Sequence, residues 1–242
     1  MKTRIIFIVV FALVTSLVYS QDNQNFNSPE TVMRYFVNNI KNGNFENVFR
    51  TSPFYYDSII EKTNPRELIN YMNTILFQLD PNLPLQYRSI IKYSLLGIYS
   101  AGLKRFIFCL LLSEEYPELA NLTPININDT ILDSYFSLLN IQNLQTLEFV
   151  RMDVYRSDIQ FNERGKNNTI RQYIVPFGCD EKVEYTVLYK INGKYYAGGV
   201  ILVRYGSSWY IDSLSGSYSN IGIGSLKQVS GIIEYINEYD IE

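Results

Sequence analysis

An Asn-Gly dipeptide at positions 192 and 193 is the sequence feature that most constrains how this chain folds. Both residues tolerate the positive φ angles that a type I′ turn requires, so the dipeptide predicts a β-hairpin with a two-residue loop. The residues before it alternate between apolar and polar side chains, as in a half-buried strand. A hairpin closed at this turn places three pairs on one face: Tyr189 with Tyr196, Tyr185 with Val200, and Val183 with Leu202.

A second tight turn is predicted at Gly206 and Ser207, which extends the hairpin to a meander over residues 183–214. This turn places Leu202 against Ile211 and Arg204 against Trp209 on the same apolar face. The two glycines at 198 and 199 are a candidate β-bulge, which would turn the side chains beyond it to the other face.

The amino-terminal residues have the pattern of a secretory signal peptide. Lys2 and Arg4 precede an uncharged apolar run over residues 5–18, and residues acceptable to a signal peptidase end at Ser20. Because the run is shorter than the roughly 20 apolar residues that span a bilayer, we expect cleavage after residue 20, with an uncleaved membrane anchor as the alternative. Export to the periplasm or out of the cell follows, with a polar lead over residues 21–27 and one domain over 28–242.

Composition excludes several classes of function. Without Lys2 and Arg4 the balance is 19 basic against 24 acidic residues, or −5, which disfavours nucleic acid and anionic membranes as partners. The chain has no histidine, so histidine-dependent nucleophilic triads are unavailable, and two cysteines cannot form a four-ligand Cys/His zinc site. No run of carboxylates has the spacing of a calcium loop. We therefore predict no cofactor and no metal.

A helix is predicted to begin just after the polar lead. Ser28 supplies a side-chain cap, Pro29 suits the first helical position, and Glu30 lies near the positive end of the helix dipole. Apolar residues then recur at helical spacing until Gly43: Val32, Met33, Phe36, Val37 and Ile40. Asn44 is expected to cap a second, short helix with Phe45, Val48 and Phe49 facing inward.

These motifs resemble the nuclear-transport-factor-two-like superfamily, which includes SnoaL-like domains and has a cystatin-like α+β fold. Residues 28–32, 35–36 and 41–46 are similar to its opening helix pair, especially in exported bacterial members of unknown function. Residues 204–212 are similar to its last hairpin. The resemblance implies a curved antiparallel sheet that wraps a long amino-terminal helix in a cone-like shape and leaves a pocket between them. It also implies a homodimer, since members often pair through their sheets.

The middle of the chain departs from that pattern. Asn64 and Pro65 open a predicted helix that carries Leu68, Ile69, Met72, Ile75 and Leu76. Residues 85–112 and 131–139 are apolar at helical spacing and predict an all-helical insertion over about residues 80–143. We expect residues 106–112 to form a buried helix, because Lys104 and Arg105 interrupt the run too early for a membrane span. A flap over the pocket, or a surface that faces a partner or a membrane, is the alternative.

Two further strands and a final helix complete the expected fold. Alternation over residues 147–155 and an apolar run over 170–175 predict strands, which gives about five strands with the meander. Apolar residues near the carboxyl end predict one amphipathic helix: Leu226, Val229, Ile232, Ile233 and Ile236.

The apolar face of the meander supplies the candidate ligand-binding residues. An arginine on such a face must find a partner or an anionic ligand. Cation–π packing of Arg204 on Trp209 is the alternative that needs no ligand. The full candidate set is Tyr185, Tyr189, Tyr196, Arg204 and Trp209.

Catalysis without histidine would need a carboxylate base and tyrosine donors in an apolar pocket. Asp153 and Tyr155 are candidates for that arrangement, together with the three tyrosines of the meander. Tyrosines at a spacing of two residues are more often packing pairs across strands, which favours a structural role.

Cys109 and Cys179 form a disulfide in an oxidising compartment, or else they are two buried thiols. The sequence as a whole predicts an exported, non-catalytic binding or interaction module whose partner is an unknown small molecule or envelope protein. A histidine-free isomerase or dehydratase and an envelope structural protein are the alternatives.

Overall fold

The computed structural model describes residues 25–64, 67–68, 88–112 and 140–239. The predicted signal peptide, most of the helix predicted after Pro65, and residues 80–87 and 113–139 of the predicted insertion lie outside the described residues.

The described residues form two longer helices, α1 and α4, and several short ones around one antiparallel sheet. The helices are α1 (Pro29–Lys41), α2 (Phe45–Phe49), α3 (Asp57–Ile60), α4 (Arg88–Leu112), α5 (Gln142–Thr146), α6 (Ser157–Gln160), α7 (Glu163–Thr169), α8 (Val175–Phe177) and α9 (Ile232–Glu238), with a 3-10 turn at Pro53–Tyr55 and a π-helical turn at Ile170–Ile174. The strands are β1 (Glu148–Asp153), β2 (Glu181–Ile191), β3 (Lys194–Tyr205), β4 (Ser208–Ser213) and β5 (Leu226–Val229).

The predicted meander is confirmed at the centre of a sheet of five strands in the order β1-β2-β3-β4, with β5 also paired to β3. Asn192 and Gly193 have φ angles of 48° and 82°, as the tight hairpin requires. All five predicted cross-strand pairs are present: Tyr189 with Tyr196, Tyr185 with Val200, Val183 with Leu202, Leu202 with Ile211, and Arg204 with Trp209.

The bulge predicted at the two glycines of β3 is wrong, because Gly198 and Gly199 pair with β2 without a shift of register. Strand β3 instead changes its second partner near this point, from β5 at residues 195–198 to β4 at residues 201–205. A Cβ atom on Gly199 would lie 2.2 Å from the backbone nitrogen of Gly216. Glycine is therefore needed here because the segment between β4 and β5 crosses in contact with the strand. The register shift lies at Ile201 and Leu202 instead.

Residues 170–175 are helical, so the strand predicted there is wrong. The Asn162 side chain accepts a hydrogen bond from the Gly165 backbone N–H at 2.8 Å and starts α7, and helical backbone then continues through the π-helical turn into α8. Pro176 stands in the first turn of α8, where its missing N–H is not needed. The run predicted a strand because it contains β-branched residues. That local preference is weak, and the helix that begins at α7 continues through the run.

The predicted carboxyl-terminal helix is correct in its second half and wrong in its first. Leu226 and Val229 are buried and belong to β5, while the two residues between them are exposed. Helix α9 begins only at Ile232, after Gly231. Over four residues, two apolar positions three apart fit a helix turn, and the pattern alone did not reveal that β3 offered a strand partner.

Helix α1 begins as the sequence indicates. The Ser28 hydroxyl accepts a hydrogen bond from the Thr31 backbone N–H at 3.2 Å. The predicted apolar stripe is buried against the sheet: Val32, Met33, Phe36, Val37 and Ile40. In α2, Val48 is buried, but Phe45 is exposed rather than inward. The cone-like wrapping of the sheet around α1 stays a prediction.

The polar lead contributes to the domain at its last residues. Phe26 is 3% exposed and its carbonyl accepts a hydrogen bond from the Trp209 backbone N–H at 2.9 Å. The Ile211 N–H donates to the Thr51 carbonyl at 2.8 Å. Both bonds lie along the free edge of β4, so the segments before α1 and after α2 cover that edge.

Helix α4 is the described part of the predicted insertion, and it lies in the main core. The ring of Phe106 is 5.7 Å from that of Phe36 on α1 and 5.4 Å from that of Tyr189 on β2. By length and composition Ile91–Leu111 would also pass as a membrane span, but a core helix passes the same test. Its large buried residues recur at helical spacing, and Cys109 lies beside them: Ile91, Leu95, Tyr99, Leu103, Phe106 and Leu110.

Candidate functional site

The two tyrosines beside the hairpin turn are core residues. Tyr189 and Tyr196 are 1% and 2% exposed and face each other across β2 and β3. Burial raises the pKa of the Tyr189 hydroxyl well above its ordinary value. Tyr185 is half-buried, and burial raises its pKa to about 12. The phenols of Tyr189 and Tyr185 are therefore neutral at physiological pH.

Arg204 and Trp209 lie at the opposite end of β3. Tyr196 and Arg204 are eight residues apart on one strand, about 26 Å at the usual rise per residue, so the five candidate residues do not form a single site. The Arg204 guanidinium is 6.0 Å from the Trp209 ring centroid, which matches the cation–π alternative. The indole is nearly buried.

Arg204 also has a partner that the sequence reasoning missed. Its Nε donates to Glu181 Oε2 at 3.0 Å, and its Nη1 donates to the Gly206 carbonyl at 2.8 Å. Glu181 is directly opposite Arg204 in the register of β2 and β3. Extending the predicted Val183–Leu202 pairing by two residues would have identified this ion pair.

Asp153 and the three meander tyrosines of the catalytic hypothesis lie on different faces of the sheet. Asp153 pairs with Thr186, and successive side chains of a strand point to opposite faces, so Asp153 lies away from Tyr185. Both oxygens of Asp153 accept hydrogen bonds from Arg151, at 2.7 and 2.5 Å. Tyr155 packs its ring against Tyr239 at 5.5 Å.

Cys109 and Cys179 are free thiols in the structure, and both are buried. Burial raises the pKa of Cys109 to about 11 and the pKa of Cys179 to about 12. A protonated thiol is a poor nucleophile and a poor metal ligand. The two side chains therefore act as small apolar groups in this state of the protein.

A group of buried and half-buried residues, which we call the lysine cluster, surrounds Lys182 on the face of β2 opposite Val183. It consists of Cys179, Lys182, Glu184 and Asp212 with the rings of Tyr173 and Tyr218. The Lys182 ammonium is 5.0 Å from the Tyr173 ring centroid and 5.7 Å from that of Tyr218. Burial lowers the pKa of Lys182, and the charges of Glu184 and Asp212 partly oppose that shift.

Asp212 carries the second carboxyl of the cluster, and its pKa is raised. Burial raises its pKa to about 6, partly offset by the charge of Lys182. The hydroxyl of the neighbouring Tyr205 donates to the Phe177 carbonyl at 3.1 Å. A carboxyl with this pKa is able to exchange a proton near physiological pH, which is the property a general base requires.

Glu184 is almost wholly enclosed, with 1% of its surface exposed. Its Oε1 accepts a hydrogen bond from the Tyr218 backbone N–H at 2.6 Å, and the N–H groups of Ser217 and Ser219 further stabilise the charge. Burial nevertheless raises the pKa of Glu184. The carboxylate thus holds the turn between Gly216 and Ile221 on the sheet.

The backbone of Glu184 is fixed by a side chain from α6. Gln160 Nε2 donates to the Glu184 carbonyl at 2.9 Å, and Gln160 Oε1 accepts from the Glu184 N–H at 2.9 Å. Strand β1 ends at Asp153, opposite Thr186, so Gln160 replaces the hydrogen bonds that a longer β1 would supply. This anchoring gives Glu184 a fixed position on the sheet.

The sequence held part of the signal for the lysine cluster. Lys182 and Glu184 alternate with Val183, which places them together on the face opposite the apolar one. Tyr173 was assigned to a strand, and Asp212 stands beside the register shift of β3 and β4, so the pattern could not place either residue. Within the described ranges, no group of three or more acidic, histidine or cysteine residues is arranged to hold a metal ion.

Comparisons with known proteins bear on the fold. No protein-family model and no curated protein sequence matches the chain. A crystal structure of a cystatin-like protein from Ruminococcus gnavus matches 85% of this chain with a TM-score of 0.50 and 17% sequence identity. The match covers 41% of that protein, so this chain spans less than half of its length. At this identity the likeness concerns the fold alone, and the chain has a cystatin-like α+β fold.

Proposed function

We propose that the chain is an exported binding or interaction module without catalytic activity, which acts in the cell envelope or outside the cell. The observation that supports this most is the position of helix α4. Phe106 of α4 packs between Phe36 and Tyr189, in the space where the superfamily resemblance implies a pocket. A side chain that fills this space competes with any substrate for it.

The burial of the tyrosines supports the same reading. Tyr189 and Tyr196 contact the core rather than solvent, and Asp153 is on the other side of the sheet. A carboxylate and a phenol on opposite faces cannot act on one substrate atom, since catalytic groups must reach it within hydrogen-bond distance. Recognition by a surface is then a simpler role than catalysis in a closed pocket.

The partner is an unknown small molecule or an envelope protein, and a homodimer is a further arrangement in keeping with the resemblance. Arg204 is a partly exposed member of the candidate set, with 34% of its side chain accessible beside Trp209. A partly exposed guanidinium next to an indole is suited to an anionic group. Because Nε and Nη1 already donate to Glu181 and to the Gly206 carbonyl, that group must bind through Nη2 or displace Glu181.

Export is tested by fusing residues 1–27 to an alkaline phosphatase that is active only after secretion. We expect phosphatase activity, and an amino terminus at Gln21 in the mature full-length protein by mass spectrometry. Replacing Lys2 and Arg4 by glutamate removes the charge asymmetry that directs insertion, so this control should retain the reporter inside the cell. An inactive wild-type fusion would refute export.

Ligand binding is tested by the thermal stabilisation of the mature protein in a panel of small anions, including citrate, phosphate and benzoate. If Arg204 contacts the anion, Arg204→Ala should abolish the stabilisation. Arg151→Ala is the matched control, because Arg151 also forms an ion pair, with Asp153 of its own strand, and has a similar exposure of 35%. Equal responses of both variants would remove Arg204 from the binding surface.

A second candidate function, a histidine-free isomerase or dehydratase, is favoured by one observation: the raised pKa of Asp212 beside Lys182 and Tyr205. Its carboxylate base would be Asp212 instead of Asp153. Deuterium exchange at carbon acids next to a carbonyl, followed by NMR, separates the candidates. Exchange that Asp212→Asn abolishes would support the enzyme; its absence with the wild-type protein supports the binding module.

A further inference from the structure

We propose that the face of β2 opposite Val183 binds one buried water molecule, which bridges the carboxylate of Glu184 and the hydroxyl of Thr186. The site is independent of the proposed binding surface at Arg204. Both residues are fully enclosed, with 1% and 0% of their surfaces exposed. Among the described residues, Glu184 Oε2 and Thr186 Oγ1 have no hydrogen-bond partner.

The position of the two atoms is what joins them into one site. Glu184 and Thr186 are two residues apart on one strand, so their side chains project from the same face, about 7 Å apart at Cβ. Neither atom bonds directly to the other. A bridging water stands about 2.8 Å from each of its partners, so side chains at this spacing place one water molecule in the gap between them within reach of both atoms.

The 216–221 turn, α9 and α6 all contact β2 around this gap. The turn that begins at Gly216 lies over it, and a Cβ on Gly216 would stand 3.3 Å from Glu184 Oε1. From α9, the Tyr235 hydroxyl donates to the Thr186 carbonyl at 2.7 Å. From α6, Gln160 binds the backbone N–H and carbonyl of Glu184 at the edge of the strand. A water held here would exchange slowly because these elements must move to release it.

Energetics favour filling the gap. An enclosed polar atom without a hydrogen bond destabilises the fold, and a charged one does so more. Buried water typically satisfies such atoms with two to four hydrogen bonds. One molecule that donates to Glu184 Oε2 and exchanges a hydrogen bond with Thr186 Oγ1 satisfies both atoms at once.

Charge and ligand number favour water over a cation. Lys182 and the backbone N–H groups of the turn already oppose the negative charge of Glu184. Calcium requires about six to eight oxygen ligands, and the two oxygens of this gap fall far short of that number. A neutral molecule that both donates and accepts hydrogen bonds therefore matches the site best.

Crystallography of the mature protein at a resolution that shows ordered water tests the proposal. We expect a peak within about 3 Å of both Glu184 Oε2 and Thr186 Oγ1. Thr186→Val has nearly the same shape without the hydroxyl, and should lose the peak. Thr186→Ser keeps the hydroxyl and should retain it. An empty gap, a direct bond between the two side chains, or another residue of the chain in the gap would overturn the proposal.

Two further measurements keep the proposal open to refutation if a variant fails to fold. Soaking wild-type crystals in rubidium chloride would give an anomalous peak if the site binds a cation, and that result would also overturn the water assignment. In solution, cross-relaxation between long-lived water and the Glu184 or Thr186 amide should be present in the wild type and in Thr186→Ser. Its absence in the wild type would contradict a trapped water.

Discussion

The two faces of β2 differ in the side chains that they bury: one face buries apolar groups and the other buries polar groups. The face with Val183, Val187 and Tyr189 is packed by α1 and α4 with apolar and aromatic side chains. On the opposite face Glu184 and Thr186 are equally enclosed but polar, and they are covered by a turn and two short helices. Lys182 is half-buried there, and Leu188 joins an apolar cluster with α9. Burial by itself therefore does not distinguish a core from a site; the nature of the buried atoms does.

The two faces contribute to stability in different ways. On the apolar face each contact lowers the free energy of the fold roughly in proportion to the area removed from water. On the polar face a buried group costs free energy unless a partner satisfies it. The predictions below test this contrast, in order of decreasing expected effect.

The largest effect is expected on the apolar face at Phe106, which is 2% exposed. Phe106→Ala should lower the free energy of unfolding by about 3–5 kcal/mol in urea denaturation, because it leaves a cavity between α4, α1 and β2. Tyr93→Ala on the same helix is the control, since Tyr93 is 71% exposed and should change stability by less than about 0.5 kcal/mol. Similar effects of both variants would show that α4 does not fill the core.

On the polar face, Glu184→Ala should cost about 1–3 kcal/mol, because the N–H groups of the 216–221 turn lose their acceptor. Glu184→Gln retains an acceptor oxygen and should lose less stability in the same denaturation experiment. Hydrogen exchange at the Tyr218 amide should accelerate in the alanine variant far more than in the glutamine variant. Equal exchange in the two variants would mean that Glu184 does not anchor the turn.

Asp212 should make stability depend on pH. Its folded pKa of about 6 lies above the ordinary value of 3.8, so protonation favours the fold. Its contribution is complete below about pH 4 and is lost as the pH rises through 6. At about 1.4 kcal/mol per pKa unit, and allowing for its partial exposure, the loss is about 2 kcal/mol.

Asp212→Asn cannot ionise and should flatten this fall when the free energy of unfolding is measured between pH 4 and 7. Part of the fall should remain, because burial raises the pKa of Glu184 in the same direction. Asp158→Asn is the control: Arg156 lowers the pKa of this exposed carboxyl, so the fall should persist there. A rise in wild-type stability over this range would contradict the burial of Asp212.

The smallest effect is expected at the exposed ion pair of Arg204 and Glu181, whose side chains are 34% and 42% exposed. Arg204→Ala should change the free energy of unfolding by about 0–1 kcal/mol, since water competes with such pairs. High salt should reduce even this difference. A loss above about 2 kcal/mol would show that the Trp209 contact, rather than the ion pair, holds the end of β3.

Local sequence signals correctly predicted the central hairpin of the sheet and the start of the first helix. Asn192 and Gly193 fixed the hairpin and its register, and Ser28, Pro29 and Glu30 fixed the beginning of α1, because each signal acts over a few neighbouring residues. For the same reason the short runs at 170–175 and 226–229 were misassigned: the deciding contacts are a preceding helix and a distant strand.

The candidate site shows the same division. The sequence itself determined which side chains of β2 share a face, since a strand alternates with a period of two. Only the tertiary structure decided that Tyr189 lies under Phe106, that Arg204 meets Glu181, and that Glu184 lies beneath the 216–221 turn. These outcomes depend on how segments far apart in the chain pack together. That packing is determined by the total free energy of the folded chain, which local sequence patterns do not report.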